Sequence, residues 1–223
     1  MSAAIALCAA LLAVPLVPLE ETAPSVNVEA SGEYASHDML GGGSKPGAWA
    51  VGFQGGWPWL GARAQVGLPG GLTPVIEVET ALFRRVQPSI GVSGRLFGGA
   101  KGRLSGEALI GWQTQTGVLE HRGPSATARL RVIGIAGRVA PWFALGTRHT
   151  FLFDRKRIVR RSGETVIWSS RHRWSPHLAG GVAIGITKNV GIDVGLDWHV
   201  VDVGTVEVSL PGFHLGVQFG GGR

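Results

Sequence analysis

Cysteine is nearly missing from this chain: the single Cys among 223 residues, Cys8, lies in an N-terminal apolar stretch. A processed chain would therefore carry no thiol, which excludes disulfide frameworks and cysteine-based zinc sites. The seven histidines lack metal-ligand spacing, so no metal site is expected. Long apolar runs are missing too. Beyond residue 24 nothing approaches the ~18 consecutive apolar residues of a spanning helix, which excludes a helical membrane protein. Charge is sparse, with Asp, Glu, Lys and Arg together at 16%. The net charge of +6 comes from arginines dispersed along alternating segments and not gathered on one helix, so no nucleic-acid partner is expected. Nucleotide motifs are absent as well: GGGSKPG (41–47) lacks the Walker spacing and GGVAIG (180–185) lies inside an alternating segment, so no cofactor is expected.

Glycine is what the chain has in excess, at 36 residues. Each one costs about 1 kcal/mol relative to alanine in a helix interior, so glycines spread this evenly argue against a helical bundle. Residues 3–18, AAIALCAALLAVPLVP, have the length and apolarity of a signal peptide and are too short and proline-broken to span a bilayer. Leu7 is too bulky to precede a lipidated Cys8. The expected division is a signal peptide over 1–24 and one barrel domain over 25–223, a length that needs no second core.

The dominant pattern has period two. Val190, Ile192, Val194, Leu196 and Trp198 alternate with Gly191, Asp193, Gly195, Asp197 and His199, and in 72–83 the aliphatic residues alternate with Glu77 and Glu79. Such alternation means strands. Similar segments at 25–36, 60–68, 89–97, 103–113, 125–136, 139–150, 172–186 and 206–219 bring the count to about ten, most of them near the nine to eleven residues of a tilted transmembrane strand. The stretch 47–57 either extends the second strand or forms another. Joins at 69–71, 98–102, 136–140 and 187–189 are short, whereas 37–59, 114–124 and 151–171 read as longer loops, although the joins 84–88 and 201–205 on that side are brief. That asymmetry fits short turns at one barrel end and longer loops at the other. The fold class is all-β: a closed antiparallel up-and-down transmembrane barrel of about ten strands, with eight or twelve as alternatives.

The parity opposite the aliphatic residues carries Arg63, Glu77, Glu79, Arg95, Arg103, Glu107, Arg129, Arg131, Arg148, Asp193, Asp197 and His199. Nearly balanced charge suits a narrow polar lumen, where buried ions must pair. A soluble lipocalin-like barrel, with this face turned to solvent, is the competing arrangement. Trp112, Trp142, Trp174, Trp198 and Phe213 near strand ends fit interfacial girdles.

The final strand, GFHLGVQFGGGR, alternates Phe213, Leu215, Val217 and Phe219 with His214, Gly216 and Gln218. It resembles the C-terminal strand of bacterial outer-membrane proteins that the barrel assembly machinery reads, with Phe219 as the terminal aromatic, here followed by Gly220 to Arg223. VGIDVGLDWHVVDV is similar to the penultimate strand and loop of small OmpA/OmpX-like barrels. The resemblance implies an outer-membrane barrel and its location, with assembly machinery and outer-membrane lipids as partners, and no particular activity.

Candidates for chemistry are His149 beside Thr150, His172 near Ser170, His177 near Ser175, and His199 near Asp197 and Asp202, an Asp-oriented imidazole being a plausible base. No nucleophile can be named beside any of them, so no catalytic residue is assigned. Arg155, Lys156, Arg157, Arg160, Arg161, Arg171 and Arg173 flank a turn at Ser162 and Gly163, where guanidiniums could face lipopolysaccharide phosphates. Two functional classes follow: a non-enzymatic barrel, structural or a narrow pore, with its lumen largely plugged by charge, and a lipid-modifying hydrolase or acyltransferase.

Overall fold

A strand that presents apolar groups on one parity and polar or small groups on the other is satisfied only when each face meets its own environment. The computed structural model describes residues 34–40, 45–81, 85–99, 101–115, 120–160, 163–203 and 206–222, and in it ten strands meet that condition by closing on themselves. Side chains are described for these residues except 35, 36, 38, 120, 155–160, 163–165, 168, 199–203 and 206–210.

One short helix, α1 (Ala35–Leu40), precedes the barrel. The strands are β1 (Trp49–Trp57), β2 (Trp59–Val66), β3 (Leu72–Ala81), β4 (Arg85–Gly99), β5 (Gly102–Gln115), β6 (Glu120–Gly134), β7 (Val139–Arg160), β8 (Gly163–Gly185), β9 (Val190–Val203) and β10 (Val206–Gly221). Each pairs antiparallel with its sequence neighbours. β1 closes the ring by pairing with β10 from Trp49↔Gly221 to Trp57↔Phe213. No strand edge is left along the barrel circumference at that level, so the ladder satisfies its own backbone groups.

Two expectations about the elements need correction. Of the segment 25–36 expected as the first strand, Ala35 and Ser36 open α1 instead, and 25–33 lie outside the described residues. The ambiguous stretch 47–57 takes its place as β1, which keeps the count at ten. The long joins expected at 37–59 and 151–171 are also replaced by regular structure. β1 reaches β2 through Pro58 alone, and β7 and β8 continue as a paired ribbon up to Arg160↔Gly163. The asymmetry between the two ends therefore resides in strand length: β7 and β8 have 22 and 23 residues, against 9 and 8 for β1 and β2. The rim that carries the joins 67–71, 100–101, 135–138 and 186–189 also carries the start of β1 and the end of β10.

The exterior is apolar and the interior polar. Phe53, Ile76, Ile90, Ile110, Val132, Leu145, Leu196 and Leu215 all point outward, Leu196 being 69% exposed. Trp49, Trp57 and Trp112 are exposed near strand ends, and Trp174, Trp198 and Phe213 are exposed further inside the longer strands β8, β9 and β10. Trp142 is the exception to the girdle expectation. Its even parity on β7 turns it inward, and it is buried.

Closure makes a prediction. Every strand is held on both sides, so detergent alone should not open the barrel. An unheated sample on a denaturing gel is expected to run as a compact band that shifts on boiling; identical migration with and without heat would refute a closed barrel.

Candidate functional site: the lumen

The inward parity of β2, β3, β5, β6 and β7 delivers Arg63, Glu77, Glu79, Glu107, Arg129 and Arg148 into one cluster. Some pairs are set by register: Arg63 stands opposite Glu77 and Glu107 opposite Arg129. Others run across the lumen. Arg129 donates from Nη2 to Glu77 at 2.8 Å and to Glu79 at 3.0 Å, and from Nη1 to Glu107 at 3.1 Å. Arg63 donates to Glu77 at 3.2 Å and also meets Glu107. Arg148 reaches Glu79 at 2.5 Å and Thr127 Oγ1 at 3.2 Å. One guanidinium thus holds three carboxylates from β3 and β5. β4 leaves room for these chords because its inward residues at that level, Ser89, Gly91 and Ser93, are small.

A second cluster occupies the opposite wall. Asp193 on β9 is fully buried, accepts from Trp142 Nε1 at 2.8 Å and lies 3.1 Å from His214 Nε2. His214 Nδ1 lies 2.6 Å from Asp197, and Gln54 Nε2 donates to Asp193 at 3.5 Å. With a carboxylate oxygen at each ring nitrogen, the imidazole serves both only as a doubly protonated cation. Glycine makes the space: a Cβ at Gly195 would fall 2.6 Å from the His214 ring. The ring stacks on Trp142 at 5.9 Å, and Arg131 lies over the same indole at 5.6 Å, tying the two clusters together.

Beneath these charges, toward the rim that holds both barrel-strand termini, α1 fills the lumen. His37, Met39 and Leu40 are buried. Leu40 packs with Ile133, Ala140, Trp142, Ala144, Ala179 and Ala183. Arg103 donates to the His37 carbonyl at 3.2 Å. Gly52 admits the helix: a Cβ there would sit 2.6 Å from Met39 Cε. What remains open between α1 and the charge clusters is a cavity of about 100 Å³.

Of the residues expected in the lumen, Arg63, Glu77, Glu79, Glu107, Arg129 and Arg148 share one network, Asp193 and Asp197 form the second, Arg131 bridges them, and Arg103 serves α1. Arg95 stands apart: it is exposed beside the β4 bulge, where the register shifts between Arg95 and Phe97. The His199 side chain lies outside the described residues, and the histidine that meets Asp197 among the described ones is His214. The alternation Phe213, Leu215, Val217, Phe219 points outward as expected, and the same parity rule that gives this pattern could have found His214.

The basic stretch is divided. Arg173 is buried with odd parity on β8, so it faces the lumen and does not contribute to an outer basic surface. Arg171, on the same parity, pairs with Asp154 at 3.3 Å, and Asp154 also holds His121 at 2.5 Å. The side chains of Arg155, Lys156, Arg157, Arg160 and Arg161 lie outside the described residues. His149 and His172 are neighbours on the exterior, with Nδ1 to Nε2 at 3.1 Å, and His177 lines the lumen.

No family model and no curated protein matches the chain. Among solved structures it is similar to Ail, the attachment invasion locus protein of Yersinia pestis, at 11% identity and a TM-score of 0.40, covering 78% of this chain and 99% of that one. It is also similar to the beta domain of the Bordetella autotransporter Brka, at 13% identity and a TM-score of 0.37, covering 80% and 99%. A third is Neisserial surface protein A, at 15% identity and a TM-score of 0.34, covering 78% and 97%. Identities and scores of this size transfer no property of those proteins to this chain.

The lattice of charges predicts an order of sensitivity. Removing one partner of a buried pair costs about 3 to 5 kcal/mol, because it strands the other charge. Arg129→Met, which takes one cation from three carboxylates and leaves Glu77 and Glu107 to Arg63 and Glu79 to Arg148, is expected to lose about that much, and Glu107→Ala less, because Arg63 and Arg129 keep other partners. Urea unfolding in detergent, followed by tryptophan fluorescence, measures both. Losses under about 1 kcal/mol for each would mean a wide, wet lumen in which the ions are solvated.

Proposed function

We propose that this protein spans the bacterial outer membrane and serves there as a non-conducting structural barrel of the envelope. The observation that carries the reading is the filled lumen: α1 below, two linked charge clusters above, and about 100 Å³ between them. The membrane assignment is supported by the exterior, where Phe53, Ile76, Ile110, Leu145 and Leu196 are exposed side by side with the strand-end tryptophans. A soluble monomer does not sustain an apolar surface of that extent. The lipocalin-like arrangement requires the opposite polarity, with apolar side chains inside. An open pore would need a continuous aqueous path, and the chords from Arg129 and Arg63 cross it.

The lipid-modifying reading has one feature in its favour, the imidazole of His214 between two aspartates. It lacks a nucleophile. Among the described residues lining that cavity there is no serine, threonine or cysteine, so His214 has no hydroxyl or thiol to activate. Its contacts are those of an ion in a structural pair. Outer-membrane lipids and lipopolysaccharide remain the partners of the exterior, and the assembly machinery that of the Phe213 to Phe219 strand.

Membrane fractionation and bilayer recording test this reading together. The protein is expected in the outer-membrane fraction, and the purified barrel should give no steady current steps in a planar bilayer. Glu79→Ala with Arg148→Ala, which removes an ion pair as a unit but leaves α1 and the Arg129 and Arg63 chords in place, should remain equally silent. Steady steps from the unaltered protein would overturn the closed barrel in favour of a pore, and recovery as a free periplasmic monomer would overturn the location. Lipid A mass spectra from cells with and without the protein should be identical, and an acyl group gained or lost would establish the enzyme instead.

A further inference from the structure

Above the main ion cluster the lumen contains a second, much smaller cavity of about 10 Å³, formed where β4, β5, β6, β7 and β8 converge. A volume of that size holds one water-sized occupant. Its lining is chemically one-sided. Arg85, Arg129, Arg148 and Arg173 all border it, and among its described lining residues there is no carboxylate. Glu79, the nearest acid, already holds Arg148 at 2.5 Å and Arg129 at 3.0 Å. Arg148 also donates to Thr127 Oγ1 in the cavity wall.

Arg85 is different from the others. It is 6% exposed, and its Nε and Nη2 have no hydrogen-bond acceptor. Its guanidinium carbon lies 4.1 Å from the centre of the Trp59 ring. Arg148 and Arg173 are close enough to repel it, and Glu79 offsets part of that repulsion. Gln113, 1% exposed in the same wall, presents an amide nitrogen that also lacks an acceptor. Buried donors without acceptors carry the full cost of their desolvation, and buried guanidiniums carry more. A neutral water would accept from two of these donors but would leave the charge uncompensated.

We propose that this cavity is a binding site for a single small anion of the halide class, chloride in the natural setting, held by Arg85, Arg173 and Gln113. The size decides the class. The cavity is at the lower limit for one water, so a monatomic anion enters only with a small outward shift of the wall side chains, and a tetrahedral oxyanion of five heavy atoms is excluded. The ion would complete the charge balance of the upper lumen and fix β4 to β8 across it. This site shares Arg129 and Arg148 with the main cluster as part of its wall, and it does not depend on whether the barrel conducts.

The test uses the folded, detergent-purified barrel and sodium bromide as the probe. Crystals grown in bromide should show one anomalous peak between Arg85, Arg173 and Gln113. Thermal stability at constant ionic strength should rise saturably as gluconate is replaced by bromide or chloride, and not when it is replaced by sulfate. Gln113→Leu, which alters no charge, and Arg85→Met should each weaken the halide dependence by about tenfold, the loss expected for one hydrogen bond to an ion. Should Arg85→Met fail to fold, Gln113→Leu carries the same reading. An empty or water-filled site in the bromide crystal, or equal responses to bromide, sulfate and gluconate, would overturn the proposal.

Discussion

A charged group inside a narrow barrel has no bulk water to turn to, and this constraint organises the rest of the molecule. The cost of stranding a buried ion exceeds the worth of most single contacts in a protein, so position is dictated by partner. Arg129 shows the consequence. It stands opposite Glu107 by register, yet its other two acids come from β3, three strands away around the wall. A slip of one residue between any of these strands would turn the whole set outward into the apolar belt. The network therefore acts as a key for register, fixing which ten segments pair and in which alignment.

Parity made much of this readable in advance. Wherever a segment alternates cleanly, as at 72–81 and 190–198, both the strand and its lumen face follow from the residues alone, and so do Glu77, Glu79, Asp193 and Asp197. What escaped had other causes. The helix α1 is six residues long, below the length at which local preference decides. It is helical because His37, Met39 and Leu40 find burial inside a barrel that the segment itself does not announce. β1 was ambiguous because Gly52, Gly55 and Gly56 dilute its alternation, and those same glycines make space for neighbours. Arg85 sat in a stretch read as a join, and Arg173, at the start of the 172–186 segment, was grouped with the outer basic patch although its parity matches that of Ser175 and His177. Trp142 breaks the rule that strand-end tryptophans face outward because Asp193 needs its N–H.

Glycine and charge are two halves of one arrangement here. A lumen lined by large side chains at every inward position could not hold long arginines lying across it. Small inward residues at Gly52, Gly91, Gly181, Gly195 and Gly216 let Met39, Trp142, His214 and the chords of Arg63 and Arg129 occupy the middle of the barrel. The high glycine content, which at first argues only against helices, is thus the negative image of what fills the interior.

The closing seam gives this interior a history. β1 pairs with β10, the last strand to be made, so the ring is completed only when the C-terminal strand arrives. α1 is tethered just ahead of β1, and Met39 occupies the volume above Gly52 on that strand. The helix is in effect a mandrel around which the wall is wrapped, carried into place by the strand that waits longest for its neighbour. Filling the interior and sealing it then become a single event, and the contents of the lumen are those present in the compartment where the seam closes.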